Sequence, residues 1–168
     1  MSKPIKITLL SFIFIMLVNH NFVIAQDSSD VFVNAGFITN LEKCSECEKA
    51  DTGGSIRIGV LTKGKMGYFA GYVWFKEYHP DYIEYDDKGS VFLAGVDYRI
   101  LEKDDLRLYL NFGLGIEEYK STYPDRTETA SSIKPDIGLL MNMSHINLYV
   151  GWQPSDPHHY NVGVGFTL

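Results

Sequence analysis

The residues able to do chemistry are few and scattered. Cys44 and Cys47 are the only cysteines, spaced Cys-x-x-Cys. In a reducing compartment that spacing points to redox or metal chemistry, and in an oxidising one to a local disulfide. Such a disulfide closes a very small ring, so its entropic contribution to stability is modest. A metal site would need two further ligands, with His79, His158 and His159 at hand. Ser144-His145 invites a nucleophile–base reading. Adjacent residues on a strand point to opposite faces, so this pair is badly placed to share a hydrogen bond. The run from Glu77 to Asp87 mixes acids with four Tyr-like and His positions, EYHPDYIEYDD. It reads as a recognition surface or a solvated loop with an aromatic rim. It lacks the Asp-x-Asp-x-Asp-Gly order of a calcium loop. Nothing in the sequence points to a cofactor.

These groups must be held by elements of period two. Leu106, Leu108, Leu110, Phe112, Leu114 and Ile116 alternate with Arg107, Tyr109, Asn111, Gly113, Gly115 and Glu117. A strand separates the two sets onto opposite faces, and a helix would smear them around its circumference. The same reading places eight strands at about 30–40, 54–62, 66–76, 90–101, 106–118, 132–142, 145–153 and 159–168. In the third, Phe69, Val73 and Phe75 compete with Tyr68, Tyr72 and Trp74 for the apolar face. Pro135 is awkward in the sixth, because it removes a donor from a strand that a closed barrel pairs on both sides.

Connections alternate in length. Residues 41–53, 77–89 and 119–131 are long, whereas 63–65, 102–105 and the link near 143–144 are short. Short turns at one end and long loops at the other is the layout of an outer-membrane barrel. Residues 1–25 precede this pattern. Lys3 and Lys6, the apolar run Ile7–Val18 and the small residue of Val23-Ile24-Ala25 have the order of a secretory signal peptide. Its removal takes the chain from 15 basic and 21 acidic residues to 13 and 21, a formal net charge of −8. An acidic mature chain, residues 26–168, argues against a nucleic-acid partner.

Alternation alone leaves open which face points outward. A soluble, lipocalin-like barrel would line a ligand cavity with the apolar face, and a membrane barrel would show that face to lipid. The polar faces carry many Gly and seven charges: Arg57, Asp97, Arg99, Arg107, Glu117, Lys134 and Asp136. Four bases and three acids nearly cancel, as mutually paired charges in a narrow interior must. Eight strands leave an interior only wide enough for side chains, which disfavours a porin-like channel. Aromatic residues near strand ends (Tyr68, Phe75, Trp152, Tyr160, Phe166) suggest interfacial girdles. The expectation is an all-β, up-and-down antiparallel transmembrane β-barrel of about eight strands.

The C-terminal Asn161-x-Gly163-x-x-Phe166-x-Leu168 resembles the β-signal of outer-membrane barrels, with Leu168 in place of the usual terminal Phe. By strand count and loop rhythm the chain resembles the small eight-stranded outer-membrane proteins, of the outer-membrane protein A barrel and adhesin-like types. That resemblance implies location in a bacterial outer membrane and recognition by the barrel-assembly machinery. It also implies outer-membrane lipid as surroundings, and long surface loops free to bind a ligand or host surface. Lipid-modifying enzymes also occur among such barrels, but the deacylase-type His-x-Ser is absent here because Asn147 follows His145 at that spacing.

Overall fold

The structure is a computed structural model that describes residues 30–40, 52–77, 86–154 and 159–168. Eight antiparallel strands run in chain order and close into one barrel. They are β1 (Asp30–Asn40), β2 (Thr52–Leu61), β3 (Met66–Glu77), β4 (Asp86–Lys103), β5 (Leu106–Thr122), β6 (Thr127–Met143), β7 (Ile146–Gln153) and β8 (His159–Thr167). Each strand pairs with its neighbours in sequence, and β1 pairs with β8 to seal the ring, Gly36 opposite Gly163. Cys44, Cys47, His79, His158 and residues 1–25 lie outside the described residues.

The outward face is the apolar one. Phe37, Leu114, Ile133 and Phe166 are each more than 60 % exposed, while Arg57, Asp97 and Asp136 are at most 2 % exposed. This is the reverse of a barrel that holds an apolar ligand. On β5 the outward apolar series runs from Leu106 to Ile116. Ten rises of ~3.4 Å give ~34 Å along the strand, or ~24 Å of height at a ~45° tilt, close to the ~25 Å apolar band of membrane barrels.

The third strand's competition resolves by burial. Phe69, Val73 and Phe75 point inward, and Tyr72 and Trp74 point outward. Phe75 is therefore an interior residue and no part of a lipid-facing girdle. With Ile38 and Val91 it fills the barrel at the end away from the short turns. The interior glycines make room for such rings. A Cβ on Gly113 would lie 2.8 Å from Phe69 Cζ, and one on Gly138 would lie 2.7 Å from Tyr149 Oη.

Three strands are longer than the hydrophobic pattern suggests. β4, β5 and β6 have 18, 17 and 17 residues. Residues 119–131 are thus a continued hairpin, closed by a turn in which Tyr123 N–H donates to the Arg126 carbonyl at 2.8 Å. Beyond the apolar band both faces meet water, so alternation of hydrophobicity fades although the ladder continues. Pro135 is accommodated by the same extension. The β6–β7 ladder covers Ile137–Met143 only, so among the described residues Pro135 pairs with β5 alone. Its missing N–H costs no bond toward β7.

Candidate functional site

The central polar cluster is built from alternate residues of five strands, β2 and β4–β7. Arg57 extends from β2 across the lumen to β6, where Nη2 donates to both oxygens of Asp136 at 2.8 Å. Its Nη1 donates to Asn111 Oδ1 at 3.3 Å, and Asn111 Nδ2 donates to Asp97 Oδ1 at 2.8 Å. Tyr149 Oη and Gln153 Nε2 donate to Asp136 at 3.2 and 3.3 Å. The guanidinium also lies over two rings, 3.8 Å from the Tyr149 centroid and 4.9 Å from that of Phe69. Planar bidentate pairing with stacking is the geometry that Arg, and not Lys, supplies. This bridge across the lumen fills the centre of the barrel with side chains.

The seven charges read from the sequence fall into separate groups. Arg57, Asp97 and Asp136 meet at the centre, linked through Asn111. Glu117 and Lys134 pair at 3.3 Å nearer the long-strand end, where Ser132 Oγ also donates to Glu117 at 2.7 Å. Arg107 pairs with Asp30 at 2.8 Å at the short-turn end. Arg99 pairs there with Glu102 at 3.0 Å and donates to the Lys63 carbonyl at 3.2 Å. A β-bulge between Arg99 and Leu101 bends β4 at that point.

A neutral cluster was missed by counting charges. Asn142 Nδ2 donates to Asn147 Oδ1 at 2.8 Å and to Thr167 Oγ1 at 2.9 Å, tying β6, β7 and β8 together inside the short-turn end. Ser55 Oγ donates to Asn161 Oδ1 at 2.9 Å between β2 and β8. All of these lie on the Gly-bearing faces, and that shared parity was the available signal.

Of the C-terminal motif, Asn161 is an interior residue and Gly163 lies on the β1–β8 seam. Phe166 and Leu168 face outward. Ser144 and His145 form the β6–β7 turn and do not lie on a strand. Ser144 has a φ of 56°, and its N–H donates to the Asp105 carbonyl at 3.0 Å. Among the described residues no group of three or more His, Cys, Asp or Glu could hold a metal ion.

The outer surface changes character at the long-strand end. Outward residues of β3–β6 pass from Tyr72, Phe92, Ile116 and Ile133 to Lys76, Lys88, Lys120 and Thr129 within four positions along each strand. Above that level β6 has β5 as its one strand partner among the described residues, and residues 127–133 are exposed.

No protein-family model and no curated protein matches the chain. Solved structures do. The attachment invasion locus protein Ail of Yersinia pestis aligns with a TM-score of 0.57 at 17 % identity, over 83 % of this chain and 97 % of Ail. Neisserial surface protein A aligns with a TM-score of 0.59 at 14 % identity, over 83 % of this chain and 96 % of the other. The N-terminal β-barrel domain of Pseudomonas aeruginosa OprF gives 0.51 at 14 % identity, over 84 % and 98 %. This chain has the fold of the small eight-stranded outer-membrane barrels.

Proposed function

We propose that the protein is an integral barrel of a bacterial outer membrane, exported by a signal peptide in residues 1–25, with a non-enzymatic surface-binding role. The observation that carries this reading is the polar sheet of β4–β6, which continues past the apolar band and ends in a β6 edge that, among the described residues, has no second strand partner. A strand edge that lacks a second strand offers main-chain groups to a partner, and a purely membrane-stabilising barrel has no need of one. Ail, of the same fold, is named for attachment and has been seen with a heparin analogue. On this reading the short-turn end, where β1 begins and β8 ends, faces the periplasm, and the hairpin 119–131 lies outside the cell. Partners on this reading are outer-membrane lipid, the barrel-assembly machinery and a ligand or host surface.

The test is adhesion of bacteria displaying the full chain to an epithelial monolayer. A variant with residues 119–130 replaced by a two-residue turn should keep its barrel, read by gel mobility without boiling, and lose most adhesion. Equal adhesion by the two would contradict the reading. An enzymatic role would instead show as altered lipid masses that revert in Ser144→Ala or His145→Ala, and the expected spectra are unchanged.

A further inference from the structure

Lys76, Lys88 and Lys120 stand side by side on the outward face of β3, β4 and β5. Lys76 is directly opposite Lys88, and Lys88 is directly opposite Lys120. Like charges directly opposite each other across strands destabilise a sheet. Here three are aligned within ~10 Å, the width of two strand spacings, on a chain whose formal net charge is −6. All three side chains are exposed. Lys76 and Lys88 each keep a contact within the protein. Among the described strands the row is confined to β3–β5, and β1, β7 and β8 carry no Lys or Arg.

Its depth relative to the apolar band is specific. Two residues nearer the barrel's middle come Trp74, Ser90 and Glu118, and two further come Tyr72, Phe92 and Ile116. The Tyr72 ring stacks on Trp74 at 5.9 Å and tilts against Phe92 at 4.7 Å, giving an outward aromatic ledge. A groove of about 940 Å³ is lined by Tyr72, Trp74 and the three lysines, and Phe92 continues the ledge beyond its lining. Glu118 is the one acid in its lining. An apolar ledge with a cationic row one step above matches an amphiphile that has acyl chains and an anionic headgroup.

We infer that this groove is a binding site for a phosphorylated membrane lipid, with phosphate on the lysine row and acyl chains against Tyr72, Trp74 and Phe92. A soluble polyanion would gain nothing from the aromatic ledge, and a zwitterionic lipid would gain little from the lysines. The inference rests on the membrane-embedded reading.

The two tryptophans provide the test. Trp74 lies on the ledge, and Trp152 lies outward on β7, away from the row. The full chain, carrying Trp152→Phe so that Trp74 alone emits, is reconstituted into phosphatidylcholine vesicles. Quenching is compared for brominated phosphatidic acid and brominated phosphatidylcholine. The expected result is a preference of about tenfold for the phosphatidic acid around Trp74. It falls to near unity in K76Q/K88Q/K120Q, or in K88Q alone if the triple variant loses its heat-dependent gel mobility. A Trp74→Phe protein, reporting Trp152, should show no preference. Equal quenching by both lipids at Trp74, or a preference that survives the lysine variants, overturns the site. Relief of the preference by millimolar inorganic phosphate or a heparin oligosaccharide would assign the row to a soluble anion and overturn the lipid. Absence of quenching by either lipid at both tryptophans would instead sink the membrane-embedded reading, and the site with it.

Discussion

Replacing Arg57 should be the most damaging single change in the barrel interior, and its cost should exceed that of replacing its partner. Among the described residues Arg57 is the one base that touches the central cluster, which also holds Asp97 and Asp136. Arg57→Met leaves two buried carboxylates with only neutral donors: Asn111 for Asp97, and Tyr149 and Gln153 for Asp136. Breaking a buried pair from one side costs about 3–5 kcal/mol. Asp136→Asn leaves Arg57 with Asn111, its two ring contacts and Asp97 beyond, so the loss is nearer that of charge-assisted hydrogen bonds, about 1.5–3 kcal/mol. The double change Arg57→Met/Asp136→Leu removes the charged pair and fills its space with apolar atoms, leaving Asp97 with its Asn111 donor. Such replacements are often neutral, so the double variant should recover about 2 kcal/mol or more relative to Arg57→Met alone. The assay is urea unfolding in lipid vesicles, followed by tryptophan fluorescence and by gel mobility without boiling. The reasoning is refuted if Arg57→Met stays within about 1 kcal/mol of the parent, or if the double variant is as unstable as the sum of the singles.

Three further outcomes follow from packing and polarity. Phe112→Arg places a cation on the outward face near the middle of the apolar band and should cost about 2–4 kcal/mol in vesicles; a water-facing surface would absorb it with little change in the unfolding midpoint. Gly138→Ala puts a Cβ within 2.7 Å of both Tyr149 Oη and the Val150 carbonyl. The crowding should cost about 1–3 kcal/mol in the same unfolding assay. Pro135→Thr should stay within about 0.5 kcal/mol of the parent, because the residue lies beyond the β6–β7 ladder; a large gain in stability would mean that the missing donor is felt after all.

The architecture was legible because lipid and a narrow interior impose opposite demands on alternate residues. On β5 those demands give Leu, Phe and Ile against Arg, Asn, Gly and Glu, and strand, face and register follow from that contrast. β3 was ambiguous because its interior is filled by Phe69, Val73 and Phe75, rings and branched chains that resemble the lipid-facing set. Their tolerance depends on glycines of other strands, such as Gly95 of β4 and Gly113 of β5 beside Phe69, and no single strand's sequence displays that complementarity. The length of β4–β6 escaped the hydrophobic pattern for a different reason. Past the band both faces of the hairpin are solvated, so the ladder holds by backbone bonds with little apolar contrast to mark it.

The interior was legible as a list of charges but not as a set of partners. Seven charged positions share the inward parity, yet Arg57, Asp97 and Asp136 gather at the centre while Glu117 and Lys134 pair apart from them. Height along the barrel decides who meets whom, and it depends on strand stagger and on the bulge at Arg99. The neutral members Asn111, Tyr149, Asn142, Asn147 and Thr167 carry much of the bonding. An amide supplies donors and an acceptor without the desolvation cost of a charge, which suits a site with little water. The lysine row was invisible for a related reason. Its members are 12 and 32 residues apart in sequence, and only the register of three strands aligns them.

An apolar outer face on a closed barrel belongs against lipid. The most direct measurement is separation of membrane and soluble envelope fractions, followed by electrophoresis with and without boiling. The full chain should stay in the outer-membrane pellet and migrate differently when unboiled, because a closed ladder from β1 to β8 resists the detergent. Recovery in the soluble periplasmic fraction, with one mobility under both conditions, would contradict it.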